Sequence, residues 1–312
     1  YEIRPRDWSS DVCSSDLVSP ALRVDVVDHH TKVDPFMRDA EILVTFGPMM
    51  SSSVFKQADN LKWVQALGSG VDGIVDQPAL PPGTIVTNIK GIHGAPVAEA
   101  ALMAMLALAR DLPRSLRLQK EHRWERLPAR TLDGKTCVIV GVGLIAEALA
   151  PRCKALGMKV IGVSATTRDV PGFDRMEPRT RLLETIAEAD HLVLLLPHTP
   201  ETNELIDTRA IAAMKPTCCL TNLARGGVVD ERALVEALEN KRLAGAALDV
   251  FATEPLPPNH PFWDMDNVIV TPHLGGFFEE YPDYALPVIE ENFRRWLAGE
   301  RKNLINLVQG QD

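Results

Sequence analysis

The hexapeptide Gly141-Val142-Gly143-Leu144-Ile145-Ala146 limits the possible folds of this chain more than any other stretch. An apolar run with strand character at 136–140 leads into it, and a helical pattern at 144–156 leads out. A strand that turns straight into a helix needs a residue free to adopt unusual backbone angles, here Gly141. Gly143 lets another molecule approach the backbone, where the helix start offers N–H groups and positive potential. Ala146 stands where a third glycine is usual and keeps helix and strand close. With a further strand expected at 159–163, the pattern is the opening βαβ unit of a dinucleotide-binding sheet. Gly141, Gly143, Leu144, Ile145 and Ala146 are the expected pyrophosphate site.

The rest of the chain repeats the theme. Strands are expected at 22–27, 42–46, 61–67 and 85–87, with helical stretches at 52–58 and 71–76. Later apolar runs at 190–196, 217–223, 246–249 and 268–270 surround a helix at 230–240, and a helix at 287–297 follows. Such alternation indicates an α/β fold with two Rossmann-like halves and parallel sheets, and 312 residues fit about two domains. Sequence order alone does not say where the last helix packs. Pro96 opens a long Ala/Leu/Met helix reaching about Arg110. It is apolar nearly all round, which calls for burial against another element or another subunit.

A net charge of −9 and a pI near 5.4 argue against a nucleic-acid or anionic-membrane partner. An anionic ligand must then be drawn in by local cations, which directs attention to Arg225 and Arg168. Five cysteines, with Cys218 and Cys219 adjacent, show neither disulfide nor metal spacing. They read as buried thiols in a reducing cytoplasm, Cys137 and Cys153 among them, and no metal is expected. The longest apolar stretch, 97–108, contains Glu99 and is too short for the ~20 residues of a membrane span. The amino-terminal segment lacks the apolar middle of a leader. Its run from Asp7 to Leu17 resembles a translated sequencing adapter, so residues 1–17 are expected to be an artefactual tail on a truncated gene.

Three later segments carry the chemistry. They read Asn222-Leu223-Ala224-Arg225-Gly226-Gly227, Asp249-Val250-Phe251-Ala252-Thr253-Glu254-Pro255 and Thr271-Pro272-His273-Leu274-Gly275-Gly276. Each has the look of a turn at a strand end. A guanidinium for a substrate acid, a His–Glu pair and a dinucleotide site together point to hydride transfer at a carbon that also gains or loses a proton. At the end of the strand after the fingerprint, an acid would accept from the ribose and repel a 2′-phosphate. That place holds Ser164, followed by Ala165-Thr166-Thr167-Arg168. Hydroxyls on Ser164 and Thr166 and the Arg168 guanidinium suit a phosphate, so NADP is expected as the preferred cofactor, with NAD as the second.

These motifs together resemble the D-2-hydroxyacid dehydrogenase family, which includes glyoxylate/hydroxypyruvate reductases, D-lactate dehydrogenases and, more distantly, formate dehydrogenase. The resemblance extends over 42–308. It includes Gly68-Ser69-Gly70-Val71-Asp72, Asn88-Ile89-Lys90-Gly91 leading to Val97-Ala98-Glu99, and Leu196-Pro197-His198-Thr199-Pro200-Glu201-Thr202. It implies doubly wound parallel sheets, with a cofactor domain (94–284) inserted into a flavodoxin-like substrate domain (18–93 with 285–312), to which the last helix returns. It also implies a homodimer built around the helix near Pro96.

The resemblance further implies roles. Arg225 grips the carboxylate of a small 2-oxo acid, His273 is the general acid in reduction, and Glu254 orients the imidazole. Gly68, Ser69 and Gly70 add donors for the substrate carboxylate. Leu196, Pro197, Thr202, Leu223, Ala224, Asp249, Gly275 and Gly276 border the cofactor. Phe46, Met49, Met50, Phe277 and Phe278 are candidate pocket walls. His93, His198, His122 and the pair His29-His30 are expected at the surface or in loops.

Formate is disfavoured, because Glu254 stands where Gln is expected. Phosphoglycerate dehydrogenase stays an alternative within the family, with the few visible pocket cations for a phosphate and the expected lack of an extra regulatory domain weighing against it. The other class of function is a cofactor-sensing, co-repressor-like binding protein, against which the complete Arg–Glu–His set argues. The sequence departs from the family in its missing ribose acid and in lacking a clear first strand and helix before Leu22.

Overall fold

A computed structural model describes residues 22–27, 32–46, 50, 52–126 and 128–309. The expected tail at 1–17, His29, His30 and Met49 lie outside the described residues. Contacts divide the chain into two compact units. The smaller comprises the described residues up to Ile92 and those from Glu279 onward; the larger, His93–Phe278, is inserted between them.

The chain begins in the smaller unit with α1 (Asp34–Met37), β1 (Ile42–Thr45), α2 (Ser52–Phe55), β2 (Trp63–Ala66) and β3 (Ile85–Thr87). The larger unit opens with α3 (Gly94–Ala109), α4 (Leu112–Lys120), β4 (Thr136–Val140), α5 (Leu144–Ala155), β5 (Lys159–Ser164) and β6 (Arg175–Pro178). It continues with α6 (Leu182–Ile186), β7 (His191–Leu194), α7 (Thr208–Ala213), β8 (Cys219–Asn222), α8 (Glu231–Glu239), β9 (Gly245–Leu248) and β10 (Val268–Val270). The chain returns to the smaller unit as α9 (Tyr281–Leu297) and β11 (Leu307–Gln309).

The larger sheet runs β10-β9-β8-β7-β4-β5-β6 with every neighbour parallel. Its central strands are near-continuous apolar runs because both faces are covered. Alternate residues serve opposite cores. Val138, Val140, Leu192 and Leu194 face one core, with Ile186, Ile211 and Leu234 from the helices α6, α7 and α8. Cys137, Ile139 and Val193 face the other, under Ala101 and Met105 of α3 and Leu149 of α5. Helices on both faces make the sheet doubly wound. Asp207 and Asp230 start α7 and α8 by accepting from Ala210 N–H (2.8 Å) and Ala233 N–H (3.0 Å).

The smaller sheet runs β1-β2-β3-β11, parallel except for the last pair. Here α9 buries Tyr281, Ala285, Ile289, Asn292 and Trp296, a stripe at helical spacing. Trp63 of β2 stacks on Trp296 with centroids 5.2 Å apart and meets Phe293 edge-on at 4.9 Å.

Several sequence expectations are corrected. Residues 22–27 form no strand; the run alternates, but it has no ladder partner among the described residues, and Val24 and Val26 are exposed. Residues 71–76 form a turn and not a helix, closed by Ile74 N–H to Val71 C=O (3.1 Å). The helix expected from Pro287 starts at Tyr281 with Pro282 in its first turn, and Pro287 lies inside it. Pro287 forgoes one backbone bond there, and the long buried stripe holds the helix together across it.

A candidate active site at the carboxyl ends of the large sheet

The order in which strands are added to the larger sheet reverses between β4 and β7, and in open α/β sheets ligands bind in the crevice at such a point. Gly141 follows β4 there with φ of 96°. A side chain on it would also strike the Leu195–Leu196 peptide, at 2.6–2.7 Å. Both facts require glycine. Gly143 is extended, precedes α5 without a side-chain cap, and would meet nothing within 4 Å if it bore a Cβ. The open approach and the uncapped N–H groups fit a pyrophosphate. Leu144 is exposed and Ile145 partly so, whereas Ala146 is fully buried and serves packing. Leu196 is buried and Pro197 exposed. The Thr202 hydroxyl donates to Pro197 C=O and accepts from Thr199 N–H, both at 2.7 Å, so it shapes the 197–202 turn from within.

Arg225 follows β8 on a turn clamped by a residue the sequence reading passed over. The buried Asn222 side chain accepts from Ala224 N–H and donates to Arg225 C=O, both at 3.1 Å. An asparagine at a strand end next to a sharp turn is a usable signal for such a clamp. Ala224 points into the core, and the Arg225 guanidinium donates to Ala224 C=O at 2.7 Å. Gly226 lies so close to Phe251 that any side chain would collide with the Phe251–Ala252 peptide. The Arg225 and Glu254 loops are thereby packed backbone to backbone.

Glu254 accepts from Phe251 N–H (3.0 Å) with one oxygen and meets His273 Nδ1 (2.8 Å) with the other. Burial pushes its carboxyl up, but the hydrogen bonds from His273 and Phe251 and the nearby charges of His273 and Arg225 outweigh burial. They hold it below the usual carboxylate range. Glu254 is thus an anion aimed at His273, with Arg225 close enough to act on it.

His273 has φ of 55°, a left-handed conformation uncommon for any residue but glycine. Asp249 accounts for it. Its buried carboxylate accepts from the Thr271 hydroxyl (2.5 Å), Leu274 N–H (2.8 Å) and Gly275 N–H (2.8 Å), and its carbonyl from His273 N–H (2.8 Å). A Cβ on Gly275 would sit 2.9 Å from that carboxylate. Asp249, expected beside the cofactor, is the template of the turn that presents the imidazole. A Cβ on Gly276 would sit 2.9 Å from the His93 ring, and Leu223 packs beside Gly275.

Ser164 ends β5, and its hydroxyl donates to Thr166 C=O at 2.5 Å. Arg168 pairs with Glu147, in the first turn of α5. Gly68, Ser69 and Gly70 follow β2 in the smaller unit. There the buried Asn88 donates to Ser69 C=O (2.7 Å) and accepts from Lys90 N–H (3.0 Å), tying two of the resembling motifs together.

Of the candidate walls, Met50 belongs to the smaller unit's core, while Phe46 and Phe277 are exposed. His93 stands in the loop before α3 but is buried there, and burial lowers its imidazole to about 4. Among the described residues, no cluster of three or more His, Cys, Asp or Glu side chains could hold a metal. No helix among them is long and apolar enough to cross a membrane.

Residues 102–275 match the family model for the NAD binding domain of D-isomer specific 2-hydroxyacid dehydrogenases. The D-3-phosphoglycerate dehydrogenase of Methanocaldococcus jannaschii is 36% identical over 276 residues, covering 87% of this chain and 52% of that protein. The chain spans about half the length of the curated relatives it first matches. A D-isomer specific 2-hydroxyacid dehydrogenase from Xanthobacter autotrophicus Py2, solved with NADPH and MES, is 34% identical with a TM-score of 0.79. That match covers 99% of this chain and 96% of the other. The NADPH-dependent glyoxylate/hydroxypyruvate reductase of Sinorhizobium meliloti, solved with NADP and sulfate, is 28% identical with a TM-score of 0.77, covering 94% and 89%. By its sequence and by its fold, the chain belongs to the D-isomer specific 2-hydroxyacid dehydrogenase family.

Proposed function

We propose that this chain reduces a small 2-oxo acid, of the glyoxylate or hydroxypyruvate kind, to the D-2-hydroxy acid, with NADPH preferred over NADH. The observation that carries the reading is the gathering of Arg225, Glu254 and His273 on adjoining loops of the sheet that bears the Gly141–Ala146 turn. Bound at that turn, a nicotinamide cofactor supplies the hydride. Arg225 holds the substrate carboxylate, for which a guanidinium fork is the better geometric match than an ammonium. His273 directs Nδ1 to Glu254, which leaves Nε2 to deliver the proton to the carbonyl oxygen. Glu254 fixes the ring plane.

Support for NADPH comes from Ser164 in place of the ribose-binding acid, from Arg168 nearby, and from the relatives solved with NADPH and NADP. A 2′-phosphate would replace Glu147 as the partner of Arg168. Support for a small substrate comes from the Sinorhizobium relative. A homodimer is supported by Met103, Leu106, Leu112 and Leu116, exposed along α3 and α4, and by Trp124, which is 93% exposed. We place the protein in the cytoplasm, in keeping with its free buried thiols.

The test is oxidation of NADPH and NADH with glyoxylate, hydroxypyruvate, pyruvate and phenylpyruvate, and reduction of both oxidised cofactors with D-3-phosphoglycerate. His273→Gln should lower kcat by roughly 10²- to 10⁴-fold, the usual worth of a positioned acid. Turnover of none of these acids, with cofactor still bound, would favour a cofactor-sensing binding protein. Phosphoglycerate as the fastest substrate would move the assignment to the activity named for the curated relatives.

A further inference from the structure

Behind the His273–Glu254 pair stands a second acid–imidazole pair with no part in the chemistry proposed above. Glu231, the first residue of α8, spends both carboxylate oxygens on the neighbouring loop. Oε2 accepts from Ala252 N–H at 3.0 Å and Oε1 lies 3.1 Å from His260 Nε2. Both side chains are largely covered, 22% and 18% exposed. His260 Nδ1 accepts from Phe262 N–H (3.3 Å), so the ring proton resides on Nε2, facing Glu231. The His260 ring packs on the buried Phe262 (4.6 Å between centroids), which in turn faces Phe251 at 6.4 Å.

The two connections end on adjacent residues, Phe251 and Ala252. Phe251 N–H is the donor that fixes Glu254, and the Phe251–Ala252 peptide is the surface against which Gly226, next to Arg225, is packed. We infer that Glu231, braced by His260, is a positioning residue that sets the Phe251–Glu254 loop and through it the Glu254–His273 pair. This rests on the proposed proton transfer by His273. A carboxylate is needed at 231 because two N–H donors converge on it from different directions. A glutamine offers one acceptor oxygen and would leave one donor unmet.

The experiment is a double-mutant cycle in the full chain, with the best 2-oxo acid and NADPH. Glu231→Gln and Glu231→Ala should each lower kcat, roughly ten- to a hundred-fold for the alanine variant, as expected when a catalytic group is held about 1 Å out of place. NADPH affinity, read by fluorescence quenching, should stay within about two-fold, since the loop acts on the proton donor and not on the cofactor cradle. In a Glu254→Gln background, Glu231→Ala should cost less than about two-fold more, because its effect passes through Glu254. If the alanine chain does not fold, Glu231→Gln carries the cycle. An undiminished Glu231 effect on top of Glu254→Gln would overturn the inference, as would full activity of both Glu231 variants while His273→Gln is inactive. An active His273→Gln enzyme would instead overturn the proton-transfer reading itself.

Discussion

The smaller unit runs a hydrogen-bonded seam through its interior, whereas the larger unit is apolar over most of both faces of its sheet and gathers its bonded polar side chains at strand ends. In the smaller unit, Trp63 Nε1–H donates to the Thr87 hydroxyl and that hydroxyl to Gln65 Oε1, both at 2.8 Å. Asn292 of α9 donates to the same oxygen (2.9 Å) and to Ile305 C=O (3.1 Å), and accepts from Ile305 N–H (2.6 Å). All four side chains are buried. In the larger unit Asn222, Glu254 and Asp249 make bonds of this kind that shape the turns of the candidate site. The difference teaches what each set of polar groups is for. A seam between a sheet and a helix supplied from more than 200 residues away specifies which helix docks; bonds at strand ends specify how a few side chains are aimed.

The largest stability effect should therefore come from cutting the seam. Asn292→Leu leaves Ile305 N–H and C=O without their side-chain partner and takes one donor from Gln65. With two or three buried groups left short at about 1–3 kcal/mol each, partly offset by the added apolar side chain, the net loss is roughly 3 kcal/mol. Chemical denaturation measures it. The comparison breaks if Asn292→Leu leaves stability unchanged, or if it changes NADPH affinity in the chain that remains folded.

Acid should act on the other unit. Every histidine among the described residues lies in the larger unit. His191 sits mid-sheet between Cys137 and Cys219 in register, 5% exposed, with its Nδ1 unbonded. Burial pulls its imidazole down to about 4, with Arg130 and Lys135 adding to burial and Asp190 opposing it. The folded state thus takes up this proton less readily than the unfolded chain. The contribution is complete above the unfolded value of 6.5 and is lost as pH falls toward 4. Between pH 7.5 and 5 the loss is about 2 kcal/mol. His191→Leu should flatten that slope, leaving the similar share of His93, which burial also lowers to about 4. Hydrogen exchange at pH 5 should show the larger unit loosening first. An unaltered slope in His191→Leu would remove the argument.

How much of this was legible in the sequence follows the same division. The larger unit could be read almost strand by strand, because a parallel sheet buried on both faces writes itself as apolar runs, and Gly141, Arg225, Glu254 and His273 each stand in a local motif. What sequence order could not show was which of those motifs touch. Gly226 against Phe251 and Asp249 beneath residues 271–275 are contacts set by strand order. That Asp249 shapes this turn was not legible either, because a buried acid used as a turn template has no local signature. In the smaller unit β11 is three residues long and its partner β3 lies far upstream, so no periodicity reveals the pair. Met50 looked like a pocket wall because a methionine after a strand fits a wall and a core equally well.

The smallest effects should fall on the end of β5, where they sharpen the view that strand-end polar groups of the larger unit serve binding. Arg168 is about half exposed and paired with Glu147, so neither side chain contributes much to folding. Arg168→Ala should raise the Michaelis constant for NADPH about ten-fold, the worth of one charge-assisted contact to a phosphate, and leave that for NADH within two-fold. Thermal stability should not move. Glu147→Gln tests the other side of the pair. An exposed ion pair contributes under about 1 kcal/mol, so freeing Arg168 from it, and removing a negative charge near the phosphate, should tighten NADPH by two- to five-fold at most. High salt should erase the gain, since both causes are screened. If Glu147→Gln tightens NADH as much as NADPH, the carboxylate acts on the pyrophosphate at the start of α5 and not on the 2′-phosphate. The end of β5 would then be a general anion site and would no longer select between the two cofactors.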